Sequence, residues 1–205
     1  YELRMYESFG TSVSVLDYGQ FAGKTSAACF WLCLAAGLAA INADVLGQAL
    51  PAEHTARTLL EQLRMEGVDH PVTPATRRSV LGRLAESLRR HFCLGSTAVL
   101  LRADVKNKIY AAFVSLAVRG PQRTEQLYER WVAKLAFKEY ADELVVVAVA
   151  LELPIRIVVI PYTPESALHP WKIPTYGSTD VAQDARRTIY LGNNDVHYVY
   201  LKPED

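Results

Sequence analysis

Residues 27–41 read AACFWLCLAAGLAAI, fifteen positions without a charge. As a helix, this run is apolar on nearly every side: Cys29, Trp31, Leu32, Leu34, Ala35, Leu38 and Ile41 leave no polar face. Such a helix is stable only where it is surrounded on all sides. It is too short for a membrane, which needs about 20 apolar residues. It has the length of a signal-peptide core, but it starts well inside the chain without a basic leader or a convincing cleavage site. The run therefore reads as a central, buried helix. The rest of the chain must wrap it, and 205 residues with half of them hydrophobic suffice for one domain over 1–205.

The wrapping elements are legible from their periods. Residues 53–65 and 74–92 carry apolar side chains three and four apart with charges between, the pattern of amphipathic helices. A further helix is predicted over 104–119, stopped by Gly120-Pro121, and another over 124–136 with Thr124 at its start. Residues 142–153 are long and apolar enough for a helix despite their valines. The period then changes. Residues 155–160, bounded by Pro154 and Pro161, form a β-branched run typical of a buried strand. The Pro-, Ser- and Thr-rich stretch 161–183 reads as a long surface loop. Two strands follow over 187–191 and 197–201, joined by the turn Gly192-Asn193-Asn194-Asp195. A short strand is also predicted over 12–16, and a loop over 19–23. There is no internal repeat. The order implies an α+β (mixed α/β) fold, with helices packed on a small sheet.

Twenty-two basic and 22 acidic residues cancel, so neither nucleic acid nor an anionic membrane is indicated as the main partner. A balanced total can still hide local asymmetry. Three cysteines, Cys29, Cys33 and Cys93, do not make a disulfide framework, and a reducing compartment is expected. Cys29 and Cys33 have no second pair and no nearby histidine, so no structural zinc site is read here.

Cys29 stands where a loop turns into the buried helix. A helix start stabilises negative charge through free N–H groups and the helix dipole, which lowers a thiol pKa. The small residues Gly23, Ser26, Ala27 and Ala28 admit a substrate backbone, and the same N–H groups can hold the oxyanion of acyl transfer. Cys33 lies a turn deeper and reads as packed. Cys93 and His91 are two apart on a helix, point in different directions, and read as structural. Of five histidines, His197 is the best base, since it starts an apparent strand after a polar turn. His54, His70 and His91 read as surface residues on polar helical faces, and His169 falls in the Pro-rich loop. A Cys and a His brought together only by the fold is the layout of a cysteine protease.

Three segments carry a family resemblance. Cys29-Phe30-Trp31-Leu32-Cys33-Leu34-Ala35-Ala36-Gly37-Leu38 resembles the nucleophile helix of ovarian-tumour (OTU) cysteine proteases. Tyr140-Ala141-Asp142-Glu143-Leu144, leading through Leu153 into Pro154-Ile155-Arg156-Ile157-Val158-Val159-Ile160, resembles that family's middle helix and core strand. Ile189-Tyr190-Leu191 with His197-Tyr198-Val199-Tyr200-Leu201 resembles its closing hairpin. The three span nearly the whole chain in the family's order. There are departures. Ser26-Ala27-Ala28 replaces the usual Asp-Gly-x before the nucleophile, so the oxyanion hole must come from backbone N–H groups or a side chain such as Gln20. Phe137-Lys138-Glu139-Tyr140 replaces a Trp-Gly pair. Val199 stands where many members carry an Asp or Asn.

The resemblance implies a papain-like fold, a small central sheet between helical layers. It implies a deubiquitinase with Cys29 as nucleophile and His197 as base, cleaving after the Gly-Gly tail of ubiquitin, polyubiquitin or a ubiquitin-like modifier, with no metal or cofactor. The helical block 52–101 would recognise ubiquitin, and the place of work would be the cytoplasm, or a host's cytoplasm for a microbial or viral protein. The residue expected to orient His197 is Asp17, because the end of an apparent strand holds a side chain more firmly than a turn; Asp195, in the turn, is the other candidate. The alternatives are a ubiquitin-binding OTU module with weak chemistry and a viral-type polyprotein protease.

Overall fold

The computed structural model describes residues 13–16, 27–41, 44–65, 74–117, 124–137, 139–161, 175–177, 187–194 and 197–203. The apolar run becomes helix α1, Cys29–Ala40, buried on all sides from Cys29 to Leu38. After the one-turn helix α2, Leu46–Ala49, come α3, Thr55–Met65, and α4, Pro74–Cys93. Both turn a leucine-rich stripe inward, Leu59, Leu60 and Leu63 from α3 and Val80, Leu81, Leu84, Leu88 and Phe92 from α4. α4 ends before Gly95, whose φ of 84° is a conformation that glycine adopts without penalty. A short 3₁₀ turn, Val99–Leu101, leads to α5, Ala103–Ala117, and α6, Thr124–Leu135. Their junction is aromatic: Tyr128 packs edge-on against Phe113 and donates its hydroxyl to the Leu100 carbonyl at 2.6 Å. In α7, Glu143–Glu152, Asp142 is not the first helical residue but the N-cap, its carboxylate accepting the Val145 N–H.

The strands are β1, Val13–Leu16; β2, Arg156–Pro161; β3, Thr175–Tyr176; β4, Thr188–Asn193; and β5, Tyr198–Pro203. They form one mixed sheet in the order β1-β5-β4-β2-β3. β4 and β5 are the anticipated antiparallel hairpin, β1 closes on β5 antiparallel, and β2 runs parallel to β4. The two-residue β3 breaks the long loop expected over 161–183: it pairs antiparallel with β2. Gly177 follows it with φ of 123°, and a Cβ there would meet the Ile155 carbonyl oxygen at 2.5 Å, so the close return needs glycine.

Strand alternation divides the sheet cleanly. Ile157, Val159, Ile189, Leu191, Tyr198 and Tyr200 join the helices in the main core. Val158, Ile160, Val199 and Leu201 form a second cluster on the opposite face, which contains strand residues alone among those described. The fold is α+β, with the described helices gathered on the first face. Among the described residues, no helix is long and apolar enough to cross a membrane.

Candidate active site

Cys29 is the first residue of α1 and is 4% exposed. Ala28 precedes it with no side-chain cap, so the leading N–H groups are left to backbone, water or a bound anion. The other end is treated differently. Arg64 of α3 donates from Nη2 to the carbonyls of Leu38 at 3.2 Å and Ile41 at 3.0 Å. A guanidinium on the negative end and no acid in the first turn leave the positive end of the dipole at Cys29 unopposed within the helix.

The face of α1 that carries Cys29 also carries Cys33, one turn on. The Cys33 thiol donates to the Tyr198 carbonyl at 3.4 Å, and the Phe30 ring meets the Tyr198 ring edge-on at 5.3 Å. Tyr198 opens β5 and directly follows His197. α1 thus lies against the beginning of β5, with the nucleophile candidate one turn from a residue bonded to the neighbour of the base candidate. The predicted strand start at His197 shifts by one residue. The His197 N–H donates to Asn194 Oδ1 at 2.9 Å, and the Asn194 N–H donates back to the His197 carbonyl at 3.2 Å. His197 is held by the turn, half-buried, rather than by the sheet ladder.

Tyr198 marks a polar neighbourhood around this face. Burial pushes its hydroxyl pKa up, reinforced by the acidic groups of Asp142, Cys29, Glu143 and Cys33 nearby, so the phenol stays a donor. Tyr176 of β3 donates its hydroxyl to Glu143 Oε1 at 2.8 Å. The start of α7 and strand β3 are thus tied together beside Tyr198. Sequence reasoning missed Asn194, Tyr198 and the Asp142-Glu143 pair. For Asn194 the signal was present, because an Asn three residues before another residue can close a turn on it. For the acidic pair nothing local pointed to Cys29.

The other candidates fare unequally. Ala27 and Ala28 flank the start of α1, the first buried and the second half-buried. Ser26, Gln20, Asp17 and Asp195 lie outside the described residues, as do His70 and His169. Val199 sits in the second cluster, on the face of the sheet away from Tyr198. None of the three cysteines is in a disulfide. Cys33 is fully buried, and burial pushes the Cys93 thiol up to about 12, an inert value. His54 and His91 are not the ordinary surface residues that their polar helices suggested. Their rings meet edge-on at 5.3 Å, His91 Nε2 faces Glu152 Oε1 at 3.8 Å, and His54 Nδ1 accepts the Ala56 N–H at 3.1 Å. α3 and α4 pack closely enough to draw both rings inward. No group of three or more His, Cys, Asp or Glu among the described residues has the arrangement of a metal site.

No protein-family model matches this chain, and no curated protein matches it significantly.

Proposed function

We propose that this chain is a thiol hydrolase of the OTU type, a deubiquitinase that cleaves the isopeptide or peptide bond after the Gly-Gly tail of ubiquitin or a ubiquitin-like modifier. The observation that carries the reading is that α1, whose uncapped start is Cys29, is bonded one turn further on, through Cys33, to the carbonyl of Tyr198, the residue after His197. His197 takes the Cys29 proton, and the thiolate adds to the scissile carbonyl carbon. The N–H groups at the start of α1 stabilise the oxyanion. His197 then returns the proton to the leaving amine as the C–N bond breaks, leaving a thioester. Water, deprotonated by His197, attacks the thioester and releases the carboxylate and the thiol. No step calls on a metal or cofactor. The reaction requires reduced thiols, which suits the cytoplasm.

A ubiquitin bearing an electrophile at its C-terminus tests the proposal. A covalent adduct at Cys29, absent in Cys29→Ala, is the expected result. Adduct formation that persists in Cys29→Ala would refute the assignment. The burial of Cys29 and the apolar Val199 favour a second reading, a ubiquitin-binding module without turnover, which predicts affinity and no adduct. A polyprotein-processing protease predicts neither. The group that orients His197 is read from Asp17→Asn and Asp195→Asn. The true partner loses rate at nearly constant KM, because an amide favours the wrong tautomer. Near-parent rates in both discard the pair.

A further inference from the structure

The cancelling charge of the whole chain conceals a strong local imbalance. α4 holds five arginines, Arg77, Arg78, Arg83, Arg89 and Arg90, against one acid, Glu86. That leaves 17 basic and 21 acidic residues in the rest of the chain. One stripe of α4, running through Arg78, Gly82, Glu86 and Arg89, faces Ala28 and the α1 residues Trp31 and Leu32 across a cavity of about 530 Å³. A volume of this size is typical of ligand pockets, about 300–1,000 Å³. The cavity begins at Ala28, the residue before Cys29.

Two independent features mark it as a site rather than loose packing. The first is Arg89, whose side chain is 12% exposed. Its Nη2 meets Glu86 Oε2 at 2.7 Å, while Nε and Nη1 are buried with no acceptor. Buried charged donors without partners are costly and uncommon. The second is Gly82. A glycine in a helix interior weakens the helix, and a Cβ at this position would meet nothing within 4 Å. No packing constraint calls for glycine there; its effect is to keep the wall of the cavity flat.

We propose that this groove binds an acidic peptide segment, with a carboxylate received by the Arg89 guanidinium as it turns from Glu86 toward the groove and the main chain passing over Gly82. The lining favours a peptide over a polynucleotide. Ala28, Leu32 and Ala85 give it an apolar floor, and Trp31 is too buried to offer a ring face to a base. The role of the segment as substrate rests on the reading of Cys29 as nucleophile; the binding itself does not.

The test is fluorescence anisotropy with a labelled hexapeptide of alternating Glu and Leu, against its Gln/Leu counterpart and a tetrathymidine, whose three phosphates match the three Glu. The Glu peptide should bind at least about tenfold more tightly than the Gln peptide, the worth of one charge-assisted hydrogen bond. Gly82→Leu, which projects into the groove, should abolish that binding while leaving thermal stability equal or higher. Arg89→Met should erase the preference for Glu over Gln. Equal affinity for the two peptides, unchanged binding in Gly82→Leu, or tighter binding of the oligonucleotide would each overturn the proposal. Peptide binding without any adduct of the ubiquitin probe would remove the hydrolase reading and leave the groove standing.

Discussion

α1 and α4 are packed against each other, with Trp31 of one 5.7 Å from Phe92 of the other, yet they solve opposite problems. α1 is enclosed by protein from Cys29 to Leu38, and each side chain over that span is answerable to a neighbour. α4 gives one stripe to the core and keeps the rest, including most of its arginines, in water. Their glycines show the contrast best. A Cβ on Gly37 of α1 would meet Ile189 Cγ2 at 2.6 Å, whereas one on Gly82 of α4 would meet nothing. The first glycine lets a strand approach the helix; the second leaves space unfilled. A residue type alone therefore says little until the surroundings of its missing atoms are known.

The largest effect expected along this contrast is chemical. Cys29→Ala should lower turnover by about 10³-fold or more, as loss of a nucleophile does, while Cys33→Ser keeps most activity. Steady-state cleavage of a ubiquitin substrate measures both, and parent-like turnover by Cys29→Ala would rule out its role. Chelator should leave that activity unchanged and a thiol alkylator should abolish it.

Next in size are effects on the fold. Trp31→Ala, at a fully buried position, should cost about 3–5 kcal/mol in denaturant unfolding. Arg83→Ala, on the exposed side of α4, should stay within about 0.5 kcal/mol. Comparable costs at the two positions would erase the distinction between the helices. The glycine pair sharpens it further. Gly37→Ala should destabilise by about 1–3 kcal/mol through overpacking, and Gly82→Ala should stabilise by about 0.5–1 kcal/mol through helix propensity. The same substitution would then carry opposite signs in adjacent helices.

The smallest expected effect is a pH dependence where α3 meets α4. His54 Nδ1 accepts the Ala56 N–H, which requires that nitrogen unprotonated. Burial, with His91 nearby, lowers the His54 pKa below 6.5, and Glu53 opposes the shift. His91 in turn faces Glu152. The unfolded chain therefore takes up this proton first as pH falls. The contribution of His54 is complete above about pH 6.5 and is lost as pH drops through the lower folded value. Thermal melts at pH 7.5 and 5.5 should show a drop in Tm that His54→Asn, a cap that does not titrate, makes smaller.

Much of the fold was legible because its signals are local. The uniform apolarity of 27–41 fixes α1, the three-and-four spacing fixes α3 and α4, and the change to β-branched residues announces β2. The antiparallel pairing of β4 with β5 follows from a turn-rich linker of the right length. What was not legible depends on contacts between distant segments. Thr175 and Tyr176 look like loop residues and become a strand because β2 offers an open edge. His54 and His91 look polar-facing and are drawn together by the packing of two helices. The Asp142-Glu143 pair announces a helix start, and its nearness to Tyr198 exists only once α7 and β5 share a core.

The pairing of β1 with β5 has a kinetic side. Val13 lies opposite Pro203, so this ladder joins segments near the two extremes of the numbered sequence. Contacts of such long range form late, because the entropy of closing the intervening chain must be met before the contact returns any energy. β5 is also the strand at whose threshold His197 stands. During synthesis α1 leaves the ribosome long before β5 exists, and Cys29 and His197 are separated by most of the intervening helices. On the proposed reading, chemistry at Cys29 would have to wait until β5 has been made and paired.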